Sequence, residues 1–275
     1  MSPGRCSNSS NLPPVDTFSI LTENINLEVP KSKLKVGAWN VNGWNSERYP
    51  ENTKFKSNTI SCLNLDVVFL SETFCKRNDS FSITNYTVIQ FNRQKISARS
   101  VRGSGGCAIA LSNKLLCNHV IVATYRGRQD GILAVKLRNT ENDHLIGLLC
   151  NYLPPDSFHY GKDPESYFID NSIVFSDLSD CDLVVAGGDL NARTKEDLDY
   201  IPAVDGDTQS RSNPDLVGNN HGKMFLNFLK DNRALICNGR VTPHENDFTF
   251  VSPQGRSVPD YIYCPADHIH LSLLL

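Results

Sequence analysis

Four apolar runs of the sequence end on polar residues, and these residues are the ones that could do chemistry. The residues at or just beyond the ends of LKVGAWN, DVVFLSE, HLIGLLCNY and DLVVAGG are Asn40, Asn42, Glu72, Tyr152, Asp189 and Asn191. A rigid strand can hold a catalytic group while the loop beyond it admits substrate. One Asn or Asp at a strand end commonly begins a turn, but four such endings, together with Asp260 in DYI, favour a shared site.

The spacing within two of these endings predicts how the side chains point. In an extended segment, residues i and i+2 face the same side of the strand. Asn40 and Asn42 are therefore expected to point together, and so are Asp189 and Asn191. Each pair would present one polar face to a substrate.

Carboxylates and amides in this arrangement suit the hydrolysis of a phosphodiester. That reaction needs an oriented water, neutralised phosphoryl oxygens and a stabilised leaving oxygen, commonly through a hard cation. Glu72 is predicted to bind Mg²⁺, helped by Asn42, because magnesium prefers oxygen ligands and keeps several waters; Mn²⁺ is expected to substitute. Asp189 would orient or deprotonate the attacking water. The residues expected to donate hydrogen bonds to the phosphate are Asn40, Tyr152 and Asn191.

The elements that must position these residues are mostly strands. Strands are expected over residues 34–40, 66–72, 86–91, 105–111, 119–124, 132–137, 144–152, 182–188 and 260–264. Helices are expected over 52–63, 164–178 and 220–232. Runs as apolar as DLVVAGG indicate strands covered on both faces, so the helices must lie outside a pair of sheets. We therefore predict a four-layered α/β sandwich of two packed mixed β-sheets flanked by helices.

The rest of the composition bounds the organisation of the chain. Residues 1–30 are polar and broken by prolines, which predicts a disordered tail without the regions of a signal peptide, followed by one domain over 31–275. No apolar run approaches the length of a membrane-spanning helix. Nine cysteines stand singly, a pattern that fits neither a disulfide framework nor a zinc site. An intracellular location, nuclear or cytoplasmic, is expected rather than secretion.

The order of the motifs resembles one superfamily. WNVNG, SET, GGCAIAL, NYLPP, GGDLNAR, the Asn-x-x-Gly of Asn219–Gly222, NGR, DFTF and DYIYC occur in that order over about residues 34–265. Together they resemble the endonuclease/exonuclease/phosphatase superfamily. The stretch from LICNGR to DYIYC looks like the endonuclease domains of non-LTR (LINE-type) retrotransposons, and Asn42, where repair enzymes carry Asp, points the same way.

The resemblance implies an activity and a set of site residues. It implies a Mg²⁺-dependent DNA endonuclease that leaves a 3′-hydroxyl nick. The parent retrotransposon would also encode a reverse transcriptase domain, which this sequence does not contain. The residues that match the active-site positions of the family are Asn40, Glu72, Tyr152, Asp189, Asn191 and Asp260. Thr249, and less directly Arg211 and Asn219, match phosphate or DNA contacts.

The sequence departs from the family pattern at its end. The family closes with Ser-Asp-His on a further strand, whereas only fourteen residues follow Tyr261. We therefore expect a domain that lacks its last strand or strands and has impaired activity, and we expect His268 not to replace the catalytic histidine. The alternatives are a catalytically inactive remnant that at most binds nucleic acid, and a phosphatase of the same superfamily.

Basic residues give a weaker indication of DNA contact. The segment from Asn92 to Gly103 concentrates Arg93, Lys95, Arg99 and Arg102 without an acid. These side chains could be solvated or could touch backbone phosphates, Arg99 and Arg102 being the candidates for DNA binding. A net charge of −3 argues against non-specific coating of nucleic acid but suits a transient enzyme.

Overall fold

The computed structural model describes residues 17–18, 21–26, 33–45, 50–94, 96, 103–205, 208–240 and 247–269. The strands in these ranges are β1 Thr17–Phe18, β2 Leu21–Asn26, β3 Lys33–Asn40, β4 Val67–Ser71, β5 Tyr86–Phe91, β6 Cys107–Ser112, β7 His119–Arg126, β8 Ile132–Asn139, β9 Leu145–Tyr152, β10 Leu183–Asp189, β11 Ala234–Ile236, β12 Phe250–Ser252, β13 Gly255–Ser257 and β14 Asp260–Pro265. The α-helices are α1 Pro50–Leu63, α2 Asn113–Leu116, α3 Pro164–Ser176, α4 Pro202–Asp205 and α5 Asn220–Asp231. All nine predicted strands and all three predicted helices are present, with bounds shifted by a few residues at most.

The strands form two large mixed sheets and one small sheet. The five-stranded sheet has the order β2-β3-β4-β6-β5, and the six-stranded sheet has the order β11-β14-β10-β9-β8-β7. β3 runs parallel to β4, and β9 runs parallel to β10, while β14 is antiparallel to β10. The small sheet joins β1 to the hairpin of β12 and β13. The predicted mixed α/β architecture is thus confirmed.

Three apolar cores separate four layers. One core lies between the two large sheets, where Val36 and Phe69 of the first sheet meet Val135 and Val185 of the second. A second core lies on the outer face of the five-stranded sheet and includes Ile60 of α1. The third covers the outer face of the six-stranded sheet with α3 and α5. Because both faces of each sheet are covered, their central strands are apolar throughout.

The helices begin at side-chain caps and bury their apolar faces. Asn219 caps α5, its Oδ1 accepting a hydrogen bond from the backbone N–H of Gly222 at 2.8 Å. Asp163 caps α3 in the same way, and Pro164 occupies the first turn, where a missing N–H costs nothing. Phe168 of α3 and Phe228 of α5 pack together with ring centroids 5.6 Å apart. These contacts hold both helices against the six-stranded sheet.

The N-terminal part of the chain contains strands that the sequence analysis did not predict. β2 pairs antiparallel with β3 from Leu21↔Ala38 to Asn26↔Lys33, and β1 pairs with β12. The expectation of a disordered tail over residues 1–30 is therefore wrong for these two strands. Their segments have no strong apolar alternation, but the edges of β3 and β12 offer backbone groups for pairing. None of the helices in the described ranges is long and apolar enough to cross a membrane.

Candidate active site

Five strands from both large sheets bring polar ends to one edge of the sandwich. Asn40 at the end of β3 lies opposite Ser71 at the end of β4. In the other sheet Asp189 at the end of β10 is flanked by Tyr152 of β9 and by Asp260, the first residue of β14. Glu72 directly follows β4. The sandwich therefore gathers polar residues that are more than 200 positions apart in the chain at one place.

These ends border a cavity of about 560 Å³. The predicted site residues that line it are Asn40, Asn42, Glu72, Asp189, Asn191, Asn219, Thr249 and Asp260. Residues that the sequence analysis did not select also line it: Trp39, Pro155, Asp156, Arg193, Phe250, Val251, Ser252, Ser257 and Pro259. Arg193 and Phe250 stand outside the strand-end pattern, so only the tertiary structure shows them at the cavity.

Asp189 is held by one hydrogen bond to each carboxylate oxygen. Asn40 Nδ2 donates to Asp189 Oδ2 at 2.7 Å, and the backbone N–H of Asn191 donates to Oδ1 at 2.9 Å. Gly188 allows the neighbouring strand β9 to approach closely. It has φ +139°, and a Cβ at this position would lie 2.0 Å from the carbonyl oxygen of Asn151. The carboxylate orientation is therefore fixed from two directions.

Asn40 and Asn42 line the cavity together with Asp189 and Asn191, but the extended geometry that was expected to align each pair is wrong. β3 ends at Asn40 and β10 ends at Asp189, and the residues two positions on turn into the left-handed region, with φ +43° at Asn42 and +46° at Asn191. In each turn the backbone N–H of the second residue donates to the side chain of the first, as between Asn42 and Asn40 at 3.0 Å. Hydrogen bonds of this kind, from the backbone to a nearby side chain, stabilise a turn, so the strand ends here.

Glu72 and Tyr152 form a pair across the two sheets. Tyr152 Oη donates a hydrogen bond to Glu72 Oε1 at 2.9 Å. Burial, followed by the charges of Glu72 and Asp189, raises the pKa of Tyr152, so the phenol stays protonated. Glu72 itself has φ +54°, and its carbonyl accepts from Gly43 in the loop that carries Asn42. Tyr152 does not border the cavity but fixes the side chain that does.

The oxygen donors at this place suit a hard cation. The described residues contain no group of three or more His, Cys, Asp or Glu side chains that could form a metal cage. Magnesium does not require one, since it is commonly held by one or two carboxylates together with waters. Glu72 and Asn42 offer a carboxylate and an amide oxygen at the cavity. The donor set therefore fits Mg²⁺ better than Zn²⁺, which takes nitrogen and sulfur ligands.

Ser71 connects three of the strands beneath the site. Its side chain is fully buried, accepts a hydrogen bond from the backbone N–H of Asp189 at 3.2 Å and donates one to the carbonyl of Asn151 at 3.3 Å. Asn151 immediately precedes Tyr152, and Ser71 immediately precedes Glu72. One hydroxyl group thus links β4 of the first sheet to β9 and β10 of the second at the point where the cavity begins.

Two buried carboxylates lie side by side at the base of the cavity. Burial, and to a lesser extent the charge of Glu72, raises the pKa of Asp189 to about 7, although hydrogen bonds from Asn191 and Asn40 oppose the shift. Burial and the charge of Asp189 raise the pKa of Asp260 in the same direction. Without a bound cation, Asp189 and Asp260 therefore do not readily carry a negative charge at the same time.

The remaining predicted contacts divide between the cavity and other places. Thr249 lines the cavity, and its Oγ1 accepts from the backbone N–H of Asp260 at 3.2 Å. Asn219 also lines the cavity, but its Oδ1 already accepts hydrogen bonds from the backbone N–H groups of Gly222, at the start of α5, and of Arg193. Arg211 does not line the cavity, because it donates to Thr194 Oγ1 and the Lys195 carbonyl.

Among the described residues of the segment from Asn92 to Gly103, the basic side chain is that of Arg93, and it is buried. Arg93 is 2% exposed, with Nη1 donating to Ser104 Oγ at 2.9 Å and Nε 3.4 Å from Asp130 Oδ2. It therefore faces the interior, not a solvated loop surface. Arg99 and Arg102 lie outside the described residues.

His268 lies at the opposite end of the six-stranded sheet. Its Nδ1 accepts a hydrogen bond from the backbone N–H of Val184 at 3.1 Å. Val184 precedes Asp189 by five residues on β10, about 16 Å along an extended strand. His268 is therefore not at the cavity.

Comparison with known proteins extends the fold assignment. No protein-family model matches the sequence, and no curated protein matches it. Among solved structures, a 3′ phosphatase from Neisseria bound to product DNA hairpin is similar, with 13% identity, TM-score 0.60 and coverage of 86% of this chain and 88% of that chain. An AP endonuclease from Leishmania major shares 13% identity over 97% of this chain and 84% of its own, with TM-score 0.60. An AP endonuclease from Archaeoglobus fulgidus shares 13% over 86% and 88%, with TM-score 0.58.

Fold and cavity together define an α/β sandwich protein with an acidic, amide-lined site at the strand ends of both sheets. The fold is that of these similar structures, a 3′ phosphatase and two AP endonucleases.

Proposed function

We propose that this protein is a Mg²⁺-dependent phosphodiester hydrolase that nicks DNA and leaves a 3′-hydroxyl end. The observation that carries the proposal is the convergence of Asn40, Glu72 and Asp189, from three strands of two sheets, on one cavity. The residues combine a positioned carboxylate base with oxygen ligands for a hard cation, the two requirements of in-line hydrolysis at a phosphate.

Asp189 has the role of the base. A base is most effective when its pKa lies near the working pH, and the pKa of about 7 supports this role in a neutral solution. Asn40 and the backbone of Asn191 hold the carboxylate at the cavity wall. Asp189 then takes the proton of the attacking water.

The other residues bind and orient the phosphate. Glu72, with Asn42, would hold Mg²⁺, which supplies positive charge to the phosphoryl oxygens when bound. Tyr152 keeps Glu72 in place through its phenol hydrogen bond. Thr249 and Asn191 present a hydroxyl and an amide group at the cavity wall, where a phosphate can accept hydrogen bonds.

DNA is the substrate we propose. The similar Neisseria structure contains a DNA hairpin, and the exposed Phe250 at the cavity offers an aromatic face to a base. The motifs from NGR to DYIYC support a retrotransposon-type endonuclease, whose partner in the parent element would be a reverse transcriptase, and nicking of chromosomal DNA would place the protein in the nucleus.

A three-substrate assay tests the proposal. The protein is incubated with supercoiled plasmid, with a 5′-labelled duplex and with a 3′-phosphorylated oligonucleotide, each in Mg²⁺ and in EDTA. We expect Mg²⁺-dependent relaxed circles whose nicks a DNA polymerase extends, which requires a 3′-hydroxyl. Loss of the terminal phosphate without strand cleavage would establish the phosphatase alternative instead. Retarded DNA without any cleavage would indicate a remnant that only binds.

A further inference from the structure

Arg193 is the positively charged residue at an otherwise acidic cavity. The carboxylates among the described residues that line the cavity are Glu72, Asp156, Asp189 and Asp260. Among the described residues of that lining, Arg193 is the single lysine or arginine. A phosphodiester that enters the cavity therefore meets one fixed guanidinium from the protein.

The guanidinium is held rigidly by a buried carboxylate. Arg193 Nε donates to Asp215 Oδ2 at 2.8 Å, and Nη2 donates to Oδ1 at 2.6 Å, a bidentate pair. The side chain of Asp215 is 2% exposed, whereas that of Arg193 is 30% exposed. Asp215 thus anchors the arginine from the interior while the other side of the guanidinium reaches solvent.

The anchoring carboxylate of Asp215 is shared between the guanidinium of Arg193 and two backbone N–H groups. Asp215 also accepts hydrogen bonds from the backbone N–H groups of Val217 and Val258, each at 3.1 Å. Although burial raises the pKa of Asp215, the hydrogen bonds from Arg193, Val258 and Val217 outweigh it and hold the pKa below its usual value. Asp215 therefore stays ionised and keeps its ion pair with Arg193.

The backbone of Arg193 is fixed as well. Its N–H donates to Asn219 Oδ1 at 2.9 Å, and its carbonyl accepts from the Asn219 N–H at 3.0 Å. Within the described part of the chain, no group accepts a hydrogen bond from Nη1 of Arg193. A rigid arginine with uncommitted N–H donors at a cavity matches the geometry of a phosphate oxygen pair.

We propose that Arg193 binds a phosphate group of the DNA substrate through its Nη1 edge and that Asp215 positions it for that contact. This inference rests on the proposed function, because it assigns a residue to the same cavity. A charge-assisted hydrogen bond of this kind predicts a loss of about 10- to 100-fold in DNA affinity when it is removed.

Equilibrium binding separates this role from catalysis. Affinity for a short fluorescein-labelled DNA duplex is measured by anisotropy in Mg²⁺, in the Asp189→Ala background that prevents cleavage. Arg193→Ala should weaken binding by about 10- to 100-fold, and Arg193→Lys should recover only part of it, since an ammonium group cannot make the bidentate contact with Asp215. Lys114→Ala removes an exposed positive charge on α2, next to Ser112 at the end of β6 far from the cavity, and should leave affinity nearly unchanged.

A second variant guards against simple loss of folding. Arg193→Ala leaves Asp215 buried without its cation, which destabilises the protein, whereas the double variant with Asp215→Asn removes both charges. The double variant should regain thermal stability but not DNA affinity. Wild-type protein that nicks DNA while all Arg193 variants bind as well as Lys114→Ala would overturn this inference alone. Wild-type protein that neither binds nor nicks DNA would overturn it together with the proposed function.

Discussion

Replacement of Ser71 by alanine tests whether the two sheets position the site through one hydroxyl group. The buried Ser71 Oγ bonds the Asp189 N–H and the Asn151 carbonyl, at 3.2 and 3.3 Å. Alanine removes both hydrogen bonds and leaves the buried N–H of Asp189 without this acceptor. Loss of the two buried hydrogen bonds costs about 1–3 kcal/mol, which corresponds to a melting temperature lowered by roughly 2 to 10 °C for a chain of this size.

The same change should lower activity more than stability alone explains. Glu72 and Tyr152 directly follow the two residues that Ser71 links, and Asp189 is bonded to it. A displacement of catalytic groups by about 1 Å commonly costs 10²-fold in rate. We therefore expect kcat for DNA nicking to fall by about that factor at a temperature where the variant is fully folded, with a smaller change in KM.

Ser112→Ala is the matched control. Ser112 is also a buried serine whose Oγ accepts from a backbone N–H, that of Leu115 at 3.1 Å, but it lies at the far end of β6. Its loss should cost about 0.5–2 kcal/mol of stability and leave kcat unchanged. If Ser71→Ala and Ser112→Ala lower the melting temperature equally and neither affects kcat, the positioning argument fails.

Three further outcomes follow from the charges of the site. Glu72→Gln keeps an acceptor for Tyr152 but removes the metal-binding charge. Nicking activity should therefore fall about 10²-fold or more, with little change in melting temperature. Unaffected nicking would show that Glu72 does not bind the metal. EDTA should abolish nicking, and Mg²⁺ or Mn²⁺ should restore it better than Zn²⁺; EDTA-resistant cleavage would argue against a metal. Because the pKa of Asp189 is raised to about 7, the folded protein holds this proton more tightly than the unfolded chain. Without metal, the free energy of unfolding should therefore fall as the pH rises from about 4 through 7, and it should fall less in Asp189→Ala. Calorimetry over that pH range measures both proteins. Identical slopes of unfolding free energy against pH would contradict the burial of this charge.

Much of the fold could be predicted because burial on both faces leaves a strong local signature. Runs such as DLVVAGG and HLIGLLCNY are apolar throughout and bounded by polar residues, so β10 and β9 appear where the sequence indicates. β1 and β2 carry no such signature, since pairing with a sheet edge requires only backbone groups. Edge strands of this kind become visible only when the partner strand is in place.

The site was predictable where it follows strand ends and not where it depends on distant pairs. Asp189 and Glu72 stand at the ends of recognisable strands. The turn at Asn191 escaped prediction because β10 ends at Asp189, so strand alternation does not extend to the next residues. Arg193 escaped because its orientation depends on Asp215, 22 positions further along the chain. The role of Ser71 depends on partners 80 and 118 positions away.

Single-turnover cleavage of a labelled DNA duplex measures the central claim, that this cavity hydrolyses phosphodiesters with Asp189 as base. The wild-type protein in Mg²⁺ is compared with Asp189→Ala, after circular dichroism has shown both to be folded. We predict cleavage by the wild type, with a rate that rises with pH toward neutrality, and a loss of about 10²-fold or more in the variant. Equal cleavage by the two proteins, or none by the wild type in any divalent cation, would contradict the account.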